Sequence, residues 1–162
     1  MDKKEQNLLE AKNLSKYFPI KNFFGKTTHA VKAVDQVTFA IRKGETFGLV
    51  GESGCGKSTL GRTLIRMYEP TSGNIIFDGQ DITNIKGREL IECHKRMQII
   101  FQDPYSALDP HQNVREIMEE PIAVFEKLSP SQMEEKIVYL LEKVGMKADD
   151  MEKYAYEFSG GQ

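Results

Sequence analysis

Gly48-Leu49-Val50-Gly51-Glu52-Ser53-Gly54-Cys55-Gly56-Lys57-Ser58-Thr59-Leu60 is the stretch that decides how this chain of 162 residues folds. Its middle, Gly51–Ser58, fits the pattern G-x-x-x-x-G-K-S. Ahead of it, Thr46–Val50 is a short apolar run suited to a strand buried on both faces. Behind it a helix is expected from Lys57 to about Tyr68, broken by Glu69-Pro70-Thr71-Ser72-Gly73. In a loop between strand and helix, glycines let successive N–H groups turn inward as an anion nest. The helix N-terminus adds partial positive charge. Lys57 supplies a mobile cation, and Ser58 a hydroxyl suited to a magnesium ion. These residue types in this order hold a chain of phosphates. Cys55, near the expected helix start, is a candidate for alkylation.

Working outward, the first third reads as β-rich. Val31–Ile41 alternates in places as a half-buried strand does, and Lys43-Gly44-Glu45 reads as a turn. Asn74–Phe77 reads as a strand and Asp78-Gly79 as a tight turn. From about residue 86 the pattern becomes mostly helical, interrupted by the apolar run Met97–Phe101, which reads as a short strand. Asn113 with Glu116, and Ser129-Pro130-Ser131-Gln132, are helix starts of the capping-box type. The second helix carries Val138, Leu141 and Val144 and should stop at a left-handed Gly145. Pro121 is expected to kink or break the helix before it. The division is thus residues 1–85, a β-rich part with the glycine-rich loop, and residues 86–162, a helical part.

Composition sets wider bounds. Hydrophobic residues make up 40% and charged residues 28%, which excludes collagen-like and strongly disordered classes. The net charge of −2 gives no case for nucleic acid as a partner. Charge is uneven: residues 1–50 carry +4, residues 51–110 carry −1 and residues 111–162 carry −5. Cys55 and Cys93 are too far apart in sequence to suggest a zinc site, and His29, His94 and His111 read as surface or packing residues. The N-terminus leads into no apolar leader, and no stretch reaches the length needed to span a bilayer.

Two further stretches narrow the reading: Met97-Gln98-Ile99-Ile100-Phe101-Gln102-Asp103-Pro104 and the terminal Ser159-Gly160-Gly161-Gln162. Together with Gly51–Ser58 the chain resembles the ATP-binding subunit of an ABC transporter. Gly51–Ser58 matches the Walker A motif, Gln102 the Q-loop glutamine, and Ser159–Gln162 the tail of the signature motif, with Phe158 where Leu is commoner. Gly48–Arg62, Phe101–Pro110 and Tyr154–Gln162 resemble the dipeptide/oligopeptide importers, with nickel importers as near relatives.

The resemblance implies an α/β P-loop NTPase fold with an N-terminal antiparallel β subdomain and a helical subdomain. It implies ATP and Mg²⁺ as cofactors. Gly51, Glu52, Ser53, Gly54, Cys55, Gly56, Lys57, Ser58 and Thr59 would hold the phosphates, with Thr59 on the α-phosphate. Phe18, with Tyr17 beside it, would stack on adenine. Ser58 and Gln102 would hold Mg²⁺, and Gln102 would also position the attacking water. Ser159, Gly160, Gly161 and Gln162 would face the γ-phosphate held by a second subunit in a head-to-tail dimer.

Residues 103–110 would meet two transmembrane permease subunits, linking the protein indirectly to an extracytoplasmic substrate-binding protein. The location implied is the cytoplasmic face of the cell membrane, as a peripheral subunit powering peptide import. Walker B carboxylates and the switch His are not found in these residues, so the chain reads as an N-terminal portion that binds nucleotide weakly and does not turn over. Residues 46–50 would then lack sheet neighbours. A nickel importer ATPase, a soluble ABC ATPase acting on ribosomes or DNA, and a non-catalytic nucleotide-binding module are the alternatives.

Overall fold

The structure is a computed structural model that describes residues 6–22, 27–103 and 105–162. The chain divides into two compact units, Met1–Gln98 and Ile99–Gln162. The boundary falls beyond residue 85 because the helix α2, Gly87–His94, inserts Cys93 into the first core.

The first unit is built on a four-stranded sheet in the order β2-β1-β3-β4, with β1 at Asn7–Lys21, β2 at Thr27–Arg42, β3 at Ser72–Phe77 and β4 at Gln80–Asp81. Every pairing is antiparallel, as the β subdomain was expected to be. The expected strand 31–41 lies inside the longer β2. β1 itself gave no clear alternation, because its register shifts repeatedly and Asn13 sits at φ 49. Those irregularities are secured by side chains: Asn13 N donates to Thr38 Oγ1 (2.8 Å), and Gln36 N to the buried Ser15 Oγ (2.9 Å). Asp78 (φ 49) and Gly79 (φ 82) turn β3 into β4, the left-handed pair a two-residue hairpin needs.

Helix α1, Lys57–Leu64, packs against β1 and β2. Leu60 and Leu64 join Ala11, Leu14, Val34, Ile75, Phe77 and Ile82 in the core. The helix stops earlier than Tyr68. Arg66 adopts φ 61 and turns its buried guanidinium inward, where Nε donates to Ile82 O (2.9 Å) and Nη2 to Ile85 O (3.2 Å).

Two expected strands do not form. Residues 46–50 and 97–101 have no strand pairing; Val50 is 91% and Ile100 96% exposed. A strand buried on both faces exists only between two neighbours, and none of the described strands lies beside either run. Phe47 finds a different contact, stacking on Phe39 with ring centroids 5.0 Å apart.

The second unit is helical: α3 at Val114–Phe125 and α4 at Pro130–Lys143, followed by 3₁₀ turns at Ala148–Glu152 and Ala155–Glu157. Both expected capping boxes form, Asn113 with Glu116 and Ser129 with Gln132. Gly145, at φ 79, follows the end of α4. Pro121 does not break α3, which runs through it. Val114, Met118 and Ile122, on both sides of the proline, pack on the buried Ile137, Leu141 and Met151 and hold the helix together. Arg115 adds ion pairs to Glu134 (3.6 Å) and Glu152 (3.1 Å).

Candidate functional site

The loop Gly51–Gly56 forms a turn whose tip rests on the sheet. Gly56 sits at φ 97 with the position of a Cβ only 2.0 Å from the carbonyl oxygen of Ala33, so no other residue fits without moving backbone. Cys55 N donates to Glu52 O (3.3 Å) and closes the turn. Lys57 folds back over it: Nζ donates to Gly51 O (2.7 Å) and Glu52 O (2.6 Å) and lies 3.6 Å from the exposed Cys55 Sγ.

Behind the lysine, α1 begins with no side-chain cap and no acidic residue in its first turn. The first-turn N–H groups of a helix have no partner inside it and carry partial positive charge. Helices α3 and α4 cap theirs with Asn113 and Ser129. An uncapped helix start, a flexible ammonium and a loop that only glycine can pass form a cradle for an anion. The residues fit a nucleotide's phosphate chain. Ser58 is exposed at the start of α1, open to a metal ion carried by phosphates. Among the described residues no group of three His, Cys, Asp or Glu could hold a metal.

The two aromatic candidates differ. The Tyr17 hydroxyl bonds Asp35, and Lys32 Nζ lies 5.3 Å over its ring. Tyr17, first, and Lys32 hold the Asp35 carboxyl below its usual value. Phe18 is instead 36% exposed, packed edge-on against Tyr68 (5.5 Å, 89°) with Lys16 Nζ 5.0 Å over its ring. Phe18 is the aromatic free of hydrogen-bonding commitments. The Tyr68 edge had no signal in the sequence, since it depends on β1 meeting the segment after α1; Lys16 and Phe18 lie two residues apart on β1 and so share a face.

In the second unit Gln102 is exposed in a bend. Asp103 Oδ1 accepts from Tyr105 N (3.1 Å) and Ser106 N (3.4 Å), which starts the one-turn 3₁₀ helix Tyr105–Ala107. Tyr105 and Leu108 stay exposed; Pro104, within the expected partner surface 103–110, lies outside the described residues. Ser159–Gln162 is an exposed turn. Ser159 N (3.0 Å) and Oγ (2.9 Å) both donate to Gln162 Oε1, and Gln162 N donates to Ser159 O (2.9 Å). A Gln side chain reaching back to the N–H three residues earlier is half of a capping box, the geometry of a helix start. Buried Cys93 has its thiol pushed up by burial and stays protonated. His94 Nε2 lies 2.8 Å from Ile65 O, a packing contact.

Residues 34–162 match the family model described as ABC transporter. The chain belongs to this family. It is 45% identical over 160 residues to "Oligopeptide transport ATP-binding protein AppF" of Bacillus subtilis (strain 168), covering 98% of this chain and 49% of that protein. It is 41% identical over 160 residues to "Dipeptide transport ATP-binding protein DppF" of Haemophilus influenzae, covering 99% and 49%. The chain thus spans about half the length of these curated relatives.

Among solved structures, the dimeric post-hydrolysis state of the ATP-binding cassette MJ0796 bound to ADP and Pi superposes with a TM-score of 0.74 at 23% identity, covering 95% of this chain and 64% of that one. CbiO1 from Clostridium perfringens, part of the ABC transporter complex cbiONQ, superposes with a TM-score of 0.69 at 25% identity, covering 98% and 58%. The fold is that of an ABC-type P-loop NTPase cassette. Among the described residues no helix is long and apolar enough to cross a membrane.

Proposed function

We propose that this chain is the phosphate-binding part of an ATPase subunit that powers import of dipeptides or oligopeptides. The observation that carries the reading is the Lys57 ammonium, held at hydrogen-bond distance from two loop carbonyls beside an uncapped helix start. When a nucleoside triphosphate enters, Lys57 turns from those carbonyls to the β- and γ-phosphate oxygens, and the first-turn N–H groups of α1 take the remainder. Ser58 would hold the accompanying Mg²⁺ through its hydroxyl. Gln102, exposed in its bend, offers a side-chain oxygen suited to a metal ion and to positioning water. Thr59 bonds the α-phosphate. Phe18, partly exposed beside Tyr68 and under the Lys16 ammonium, is favoured for adenine over Tyr17, whose hydroxyl is engaged by Asp35.

The helix-start geometry of Ser159–Gln162 supports a role as an anion-facing turn, which would meet the γ-phosphate of a second ATP-binding subunit in a head-to-tail pair. Exposed Tyr105 and Leu108 support residues 103–110 as the contact for two transmembrane permease subunits. On this reading the second unit, Ile99–Gln162, serves as the helical subdomain and the protein works at the cytoplasmic face of the membrane. The names of the two curated relatives support peptides as cargo.

The test is ATP binding and peptide uptake by the complete protein in its assembled transporter. Wild type should bind ATP in calorimetry and support uptake; Lys57→Ala should lose both. Uptake that survives Lys57→Ala, or no ATP binding by the wild type, would overturn the reading.

A further inference from the structure

Residues 105 and 158 are separated by more than fifty positions, yet the Tyr105 hydroxyl donates to the Phe158 carbonyl at 2.5 Å. Phe158 immediately precedes the Ser159–Gln162 turn. The same ring flanks that turn from the side: a Cβ placed on Gly160 would lie 4.0 Å from Tyr105 Cε2. The tyrosine therefore bonds the chain at the entry to the turn and passes beside its first glycine.

Both ends of the contact are held. On one side, the Asp103 carboxylate fixes the backbone of Tyr105 and Ser106, and Ser106 Oγ donates to Asp103 O (3.2 Å). On the other, Phe158 N donates to Ala155 O (3.3 Å), Lys153 Nζ lies 5.7 Å over the Phe158 ring, and Gln162 closes Ser159–Gln162 internally. With both partners anchored, a hydrogen bond this short does not stretch to absorb a shift of the loop. Either the turn follows or the bond breaks. Tyr105 is also 44% exposed, so anything seated on the loop reaches it.

We propose that Tyr105 is a positioning residue that sets the geometry of the Ser159–Gln162 turn from the loop at 103–108, so that a partner docked on the loop moves the turn through one phenol. The role given to the partner rests on the function proposed above; the tie between loop and turn does not.

The test is Tyr105→Phe in the complete protein, which keeps the ring and removes only the donor. Equal thermal midpoints for the two proteins establish that the variant folds. Amide hydrogen exchange over residues 158–162 should rise about 2- to 10-fold, the range for loss of one neutral hydrogen bond. ATP affinity of the isolated subunit should not change, because the cradle at 51–58 is untouched. In the assembled transporter, stimulation of ATP hydrolysis by the membrane subunits should fall by a similar factor through kcat, with KM for ATP unchanged.

Unchanged exchange at 158–162 overturns the proposal. Raised exchange with stimulation intact also overturns it, since the tie would then carry nothing. If the wild-type transporter hydrolyses no ATP, it is the ATPase reading that fails, and the exchange measurement still decides whether Tyr105 positions the turn.

Discussion

Gly56 passes so close to Ala33 that a methyl group on its α-carbon would sit 2.0 Å from the Ala33 carbonyl oxygen. The end of the Gly51–Gly56 loop is therefore seated against strand β2, and the backbone direction entering α1 is fixed by contact with the sheet.

Gly56→Ala should be costly on two counts: a left-handed backbone, worth roughly 1–2 kcal/mol for a residue with a Cβ, and a clash that only backbone movement relieves. We expect a loss above about 2 kcal/mol, seen as a fall in thermal midpoint of roughly 8 °C or more. Gly54→Ala is the control: it shares a positive φ of 81° but meets nothing within 4 Å, so it should lose less. Equal losses would show that the Ala33 contact does not matter.

Lys57→Met should separate binding from folding. The ammonium bonds two carbonyls and the Cys55 sulfur of an exposed loop, so stability should change by less than about 0.5 kcal/mol. Affinity for ATP should fall about 10- to 100-fold, as expected for losing a charge-assisted hydrogen bond. Titration with a fluorescent nucleotide analogue reads the second quantity and thermal denaturation the first.

Ser129→Ala removes one half of the capping box that starts α4, where Ser129 Oγ accepts from Gln132 N at 3.4 Å. The expected cost is about 1 kcal/mol. It should appear in the unfolding of the second unit, because α4 supplies Ile137 and Leu141 to that core and nothing to the first. Hydrogen exchange in residues 130–143 would report it.

Acid sensitivity should arise in part at Asp78. The Arg96 guanidinium, first, and then Lys43 at 3.8 Å hold its carboxyl below the usual range. A lowered folded-state value means the contribution is fully present above the unfolded carboxylate pKa of about 3.9 and is lost as pH falls through the folded value. Asp78→Asn should flatten the acid limb of a stability curve measured between about pH 6 and pH 3, and added salt, which screens this half-exposed pair, should lower wild-type stability at neutral pH. An acid limb unchanged by the substitution would remove Asp78 from the account.

What could be read from the sequence was what is local. Both capping boxes, the Asp78-Gly79 turn, Gly145 and the helix start at Lys57 each depend on a few consecutive residues, and each formed as expected. Strands depend on partners. Thr46–Val50 has the composition of a buried strand and is not one, because composition cannot supply the neighbours. β1 failed in the opposite sense: it is a strand of fifteen residues whose register shifts scramble the period by which a strand is recognised. The same limit applies at the site. The proposed phosphate cradle lies within nine residues of sequence, whereas the edge-on contact of Tyr68 with Phe18, the engagement of Tyr17 by Asp35 and the reach of Tyr105 to Phe158 appear only once distant segments meet.

The doubly bonded Lys57 has a thermodynamic consequence. On the proposed function, a phosphate taken up by Lys57 would not add a whole new contact for the ammonium; it would replace the Gly51 and Glu52 carbonyls. The heat evolved is then the difference between two sets of oxygens.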